Sequence, residues 1–351
     1  MNPGEINHEA LERLIYAIDM PLIEATKKRD IIKVKKLLEE GYLNIDFQDK
    51  LKATALFYAS KKGYADIAKL LIVGRANLDI VNIDEEAPLH PASCDGHIEV
   101  VEQLINAGVN VNLPQKDGAT SLFLASQKGH IEVVEQLIKA KANVNLPRND
   151  GVTPLHIASY YGKSEVVEKL INAGVNVNIS LEKDGATPLH LACQEGHFGV
   201  VEQLIKVGVE INQTKKDLTT ALHNACKRGH FGIAGQLIKA GANLDMVTKS
   251  GLTPIFIACQ KDNIECVKAL SNAGADVKCL TEDDGAFGKK INSELKGISE
   301  KMKTLIETII KKENIKERDE ALVATTQLSP SPRSPRAGAL VAQKAQGAQG
   351  R

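Results

Sequence analysis

One interval governs this chain. Counted from Met20, the same slot returns at Thr54, Ala87, Thr120, Thr153, Thr187, Thr220 and Thr253, at steps of 34, 33, 33, 33, 34, 33 and 33 residues. The unit is clearest over 150–178, DGVTPLHIASYYGKSEVVEKLINAGVNVN. Thr153 can cap a helix and Pro154 suits its first position. Leu155, Ile157 and Ala158 give that short helix an apolar side, and Gly162 ends it. A second helix is predicted from Ser164 to Asn172, with Val166, Val167, Leu170 and Ile171 at helical spacing. Gly174 then supplies a left-handed cap. Such a pair is too small to bury its own apolar faces, so eight copies in series exclude a single globular core and predict an all-α solenoid.

The units resemble ankyrin repeats. The marks are Thr-Pro-Leu-His at 153–156 and 187–190, Gly-His at 96–97, 129–130, 196–197 and 229–230, and Val-Asn-Val-Asn at 109–112 and 175–178. The match covers residues 19–283 and implies about eight helix-turn-helix units joined by β-hairpin-like loops. It implies less about function, since such arrays serve many roles.

Composition narrows the classes. Among 351 residues, 44 are basic and 44 acidic. Zero net charge argues against a dedicated nucleic-acid binder. No run of 18 apolar residues suggests a transmembrane helix, and MNPGEINHEALERL lacks the regions of a signal peptide. A cytoplasmic protein fits, although non-classical secretion leaves no such mark. Of six cysteines, Cys193, Cys226 and Cys259 share one slot, held elsewhere by Ser60, Ser93, Ser126 and Ser159. That is a small-residue packing slot. Neighbouring helices lie roughly 8–10 Å apart, beyond the reach of a disulfide, so reduced buried thiols are expected.

The ends depart from the pattern. Residues 1–18 read as an N-terminal capping helix, and Met20-Pro21 with Arg29-Asp30 as a degenerate first unit. Residues 284–318 read as an amphipathic helix, centred on 288–313, whose stripe is Ile291, Leu295, Ile298, Met302, Leu305 and Ile309. It serves as a cap on the last repeat, a docking element or an oligomerising coil; a monomer is favoured. Residues 319–351 are poor in large apolar groups and read as a disordered tail. There Ser329, Ser331 and Ser334 each precede proline near arginine, as in sites of proline-directed kinases; a linker or a secretion signal stays open. Inside the array, Arg75 and Lys141 stand where other units have glycine. Gly74 is expected to relieve the first, and nothing the second. One extra residue between Asn178 and Thr187 should make that loop bulge.

No chemistry-bearing constellation emerges. Eight of nine histidines fall in the Thr-Pro-Leu-His or Gly-His slots, where hydrogen bonding within or between repeats explains them. No catalytic residues, metal ligands or cofactor motif stand out, and the part outside the array is too short for a catalytic domain. An enzyme is not expected.

What remains is surface. By resemblance, partners of such arrays are gripped by the hairpin tips and the exposed end of the first helix. The two residues after the packing slot include Lys61, Lys62, Lys128, Lys227 and Arg228, and in the fifth unit Tyr160 and Tyr161. Over eight units, eight of these sixteen residues are basic and two acidic. The tip position holds lysine in five of seven units, followed in most by aspartate. The expectation is a non-catalytic scaffold with a basic concave ladder around a tyrosine anchor, binding a protein of acidic or mixed surface. Ankyrin effectors that intracellular bacteria deliver into host cytosol have a similar build.

Overall fold

The structure, a computed structural model, describes residues 8–41, 43–280, 295 and 297–327, and among these every regular element is helical. Eight helix pairs follow one another. They are α1 (His8–Lys27) with α2 (Ile31–Glu40), α3 (Ala55–Lys62) with α4 (Ala65–Val73), and α5 (Leu89–Cys94) with α6 (Ile98–Asn106). Next come α7 (Ser121–Lys128) with α8 (Ile131–Lys139), α9 (Pro154–Tyr160) with α10 (Ser164–Asn172), and α11 (Pro188–Glu195) with α12 (Phe198–Lys206). The last are α13 (Ala221–Arg228) with α14 (Phe231–Lys239) and α15 (Pro254–Gln260) with α16 (Ile264–Asn272), and a single helix, α17 (Glu300–Gln327), closes the series. First helices stack on first helices and second on second, giving a two-layered solenoid. Its core repeats: Leu155, Ala158, Val166, Val167 and Leu170 of the fifth unit are buried, as are Leu222, Ala225, Ile233, Ala234 and Leu237 of the seventh.

The cap slot fixes each start. Thr153 Oγ1 accepts from His156 N at 3.3 Å, while His156 Nδ1 accepts from Thr153 N at 3.4 Å. Because Nδ1 accepts a backbone N–H, the ring proton sits on Nε2, which donates to Ala186 O of the next unit at 3.3 Å. His90, His190 and His223 do the same toward Leu113, Thr219 and Leu252. A second ladder runs through the loops. The side-chain oxygens of Asp46, Asp79, Asn112, Asn145, Asn178, Asn212 and Asp245 each accept a backbone N–H from the following unit, at 2.7–3.1 Å. The last asparagine of each Val-Asn-Val-Asn is thus a bolt between repeats.

The positions with left-handed backbone repeat too. Among the described residues, all seven non-glycine residues with positive φ occupy repeat glycine slots: Arg29 and Asp262 after the first helix, Arg75 and Lys141 after the second, and Lys52, Glu85 and Leu218 at the tips. Lys141 has φ 65°. Gly74 does not relieve Arg75: it has φ −70°, and Arg75 itself takes φ 67°. The slot one residue later is where the chain must reverse, and a glycine out of register cannot substitute.

Three helix boundaries differ from the sequence reading. The break expected after residue 18 is absent, and α1 runs on through Pro21 to Lys27. Met20 has no side-chain oxygen with which to cap a new start, so nothing interrupts the apolar spacing. At the other end α17 begins at Glu300, so the helix expected over 288–313 does not run unbroken through Gly297 and Ser299. Ser299 Oγ accepts from Met302 N at 3.2 Å and caps it, just after Gly297. The helix then passes 319 and reaches Gln327 through Glu320, Ala321 and Leu322, which favour helix. Residues 281–294, including Ile291, and the serines 329, 331 and 334 lie outside the described residues.

α17 lies where a ninth unit would place its second helix. Ser299 Oγ donates to Asp262 Oδ1 at 2.8 Å, tying the start of α17 to the loop between α15 and α16. Met302, Ile306 and Ile309 are buried, with α16 beside them.

Candidate partner-binding surface

The ends of the first helices and the loop tips line one side of the solenoid. In the fifth unit that edge is aromatic. Tyr160 ends α9 and Tyr161 follows; their rings meet edge to face, 5.0 Å between centroids at 87°. Both stay exposed, at 39% and 46%. Their backbone is clamped: His197 Nε2 donates to Tyr160 O at 2.8 Å. The clamp needs Gly162, with φ 68°, since a Cβ there would fall 2.4 Å from the His197 ring. The pair is therefore held rigidly by the repeat's own Gly-His device, an arrangement suited to an anchor.

Beside it lies a group that sequence reasoning missed. The Arg148 guanidinium sits 5.0 Å from the Phe123 ring and donates to both Asp150 oxygens, at 3.0 and 2.6 Å. Asp150 keeps Arg148 firmly charged, and Tyr161 adds to the effect; the same pairing holds the Asp150 carboxyl below its ordinary range. The signal was present in Phe123, which stands where neighbouring units have histidine.

The predicted basic residues are exposed but not one cluster. Lys61 and Lys62 close α3, with the Lys61 amine 6.0 Å from the Phe57 ring. Lys128 closes α7, and Lys227 with Arg228 closes α13. At roughly 10 Å per unit, Lys61 and Lys227 lie about 50 Å apart along the array. Lys227 and Arg228 join other cations, with Lys215, Lys249 and Lys261 around a cleft of about 360 Å³. Lys50, Lys116, Lys183, Lys216 and Lys249 are exposed at the tips.

The tip aspartates do more than offset charge. Asp117, Asp150, Asp184 and Asp217 each accept, through Oδ1, the N–H two residues on, at 2.9–3.2 Å. Burial alone would raise the carboxyls of Asp184 and Asp217, but these N–H groups together with Lys215, and for Asp217 the Thr219 side chain, hold both below the ordinary range. Successive tips are tied by backbone rungs: Lys116 N to Asp84 O, Asn149 N to Asp117 O, Lys216 N to Asp184 O and Lys249 N to Asp217 O. No such rung joins Asp150 to Lys183 among the described residues. There the extra residue lengthens the loop, and Leu181 N reaches Ala186 O across five positions where Arg148 N reaches Val152 O across four.

No helix among the described residues is long and apolar enough to cross a membrane.

Stacked helix pairs with capped first helices and a varied edge define a repeat scaffold of the interaction class. The family model for ankyrin repeats, three copies, matches residues 62–148, 122–215 and 208–281. The chain belongs to the ankyrin-repeat family. Among solved structures it is similar to the human ASB11 ankyrin repeat domain, with 27% identity, a TM-score of 0.58, and 64% of this chain and 99% of that one covered. It is also similar to the ankyrin repeat domain of Bcl-3, a member of the IkappaB family, with 25% identity, a TM-score of 0.56, and 62% and 98% covered. No curated protein matches the sequence. Ankyrin repeats are in general protein-interaction modules.

Proposed function

We propose that this protein is a non-catalytic scaffold that grips a partner protein on its concave surface, with Tyr160 and Tyr161 as the anchor. The observation that supports this is an exposed aromatic pair on a clamped backbone, beside a fixed arginine and flanked by exposed lysines. Tyrosine brings contact area with a polar tip at little entropic cost. The partner presents an apolar element to the tyrosines and an acidic or mixed surface to Lys61, Lys62, Lys128, Lys227 and Arg228. The six free thiols suit a reducing, cytoplasmic setting. The apolar face of α17 is covered by α16, which favours a monomeric adaptor over a coil-joined oligomer.

The test is affinity capture with quantified binding of whatever is retained. Tyr160→Ala with Tyr161→Ala should weaken the partner by at least about 2 kcal/mol. Lys61→Glu with Lys62→Glu should chiefly slow association, less so at high salt. Unchanged affinity in both, with folding intact by circular dichroism, would move the site off this face.

A further inference from the structure

Between the seventh and eighth units the concave face deepens into a cleft of about 360 Å³. Lys215, Lys227, Arg228, Lys249 and Lys261 line it, against one carboxylate, that of Asp217. Lys215 pairs with Asp184 at 3.0 Å, and Asp217 is engaged by its own loop through Thr219 N at 3.0 Å. Lys227, Arg228, Lys249 and Lys261 make no ion pair within 4.0 Å among the described residues. The wall is also polar where the repeat pattern is apolar. Asn224 takes the position of Tyr58, Pro91, Leu124, Ile157, Leu191 and Ile257 in the other units after the degenerate first one, which has Glu24. It is buried, donating to His190 O at 3.2 Å. A buried amide where an aliphatic side chain fits stabilises the fold less, and four unpaired cations around one hollow repel one another.

We propose that this cleft receives an acidic segment of the partner, a run of carboxylates that bridges these four cations. The inference rests on the reading above for the partner being a protein, and adds a second subsite to it. Lysines spread over a walled cleft suit spread negative charge, since each acts as a point charge with rotatable donors. The geometry also sets a spacing. Lys227 lies two units beyond Tyr160, about 20 Å at the usual packing distance of helices. An extended strand covers about 3.3 Å per residue, so the acidic run sits about six residues from the apolar residue that meets the tyrosines.

Binding of fluorescein-labelled hexaglutamate to the full chain, followed by anisotropy at about 50 mM salt, tests this. Lys227→Gln with Arg228→Gln should weaken it about tenfold, and Lys33→Gln with Lys36→Gln, exposed on α2, less than about twofold. Equal losses in the two pairs, or absence of hexaglutamate binding, would overturn the proposal, as would preference for a hexauridylate over hexaglutamate. A longer probe separates this idea from the reading it rests on. It carries phenylalanine six residues from its glutamates. If only the tyrosine double variant weakens that probe, the cleft falls alone. If only the cleft variants weaken it, the cleft stands and the tyrosine anchor falls.

Discussion

The first five units and the last three solve one packing problem differently. The slot six residues after each cap is buried throughout. Before the long loop at 179–186 it holds Thr26, Ser60, Ser93, Ser126 and Ser159, and none of these hydroxyls has a hydrogen-bond partner. After the loop it holds Cys193, Cys226 and Cys259; burial pushes up the thiols of Cys193 and Cys259, the latter to about 12, and that of Cys226 is raised by its hydrogen bond with Cys266 and then by burial. A thiol behaves there as a small hydrophobe, whereas a hydroxyl loses its water and gains nothing back. The second helices differ likewise: the first block closes two of them with Arg75 and Lys141, the second block all three with Gly208, Gly241 and Gly274. The period fixes volume and backbone path, and leaves chemistry free to differ from one block to the next.

Acid should break both blocks together, and this is the largest effect. His156 lies in the first block and His190 in the second, and burial pushes each from 6.5 to about 4. The unfolded chain then binds the proton more readily than the native one. The stabilisation is full above pH 6.5 and is lost as pH falls toward 4, at roughly 3 kcal/mol apiece. Urea midpoints measured from pH 7.5 to 4.5 should stay level to about pH 6.5 and then fall, in one transition. A flat profile would show that the rings are solvated, and two transitions would show that the blocks part first.

The packing slot gives the next effect. Replacing Ser60, Ser93, Ser126 and Ser159 with alanine should raise stability by about 1 kcal/mol each. Cys226→Ser in the other block should lower it by a similar amount. A neutral quadruple variant in chemical denaturation would mean that the hydroxyls bond helix carbonyls one turn back.

The smallest effect is at Lys141. With φ 65° on a residue that has a Cβ, Lys141→Gly should gain up to about 1 kcal/mol, less what glycine's freedom in the unfolded chain takes back. Gly174→Lys should lose a similar amount. If Lys141→Gly destabilises, the lysine makes a contact that outweighs its strain.

The solenoid was legible because its causes are local. Thr153, Pro154, Gly162 and Gly174 act within one turn of where they stand, and the period multiplies the signal. Lys52, Glu85 and Leu218 were missed because the tip slot demands a backbone conformation, which a substituted glycine no longer announces. The break before α17 was not foreseen because the heptad-like stripe runs across it: Leu295 and Ile298 continue the spacing, yet Gly297 and Ser299 decide where the turns of α17 begin. Of the surface, the tyrosines and lysines were visible as residues. Arg148 joining Phe123, and Lys227 with Arg228 gathering three further cations, depend on neighbours some 12 to 34 positions away, which only the folded chain brings together.

The missing rung between Asp150 and Lys183 has a consequence for exchange with solvent. At Lys116, Asn149, Lys216 and Lys249 a tip amide must open its rung before deuterium can replace its proton. The amide of Lys183 has no rung to open and is held by its loop alone. In heavy water it should lose its proton at nearly the rate of an unstructured peptide, well before the other four. One residue inserted into one loop thereby writes a readable mark into the protection pattern, at the border where hydroxyls give way to thiols.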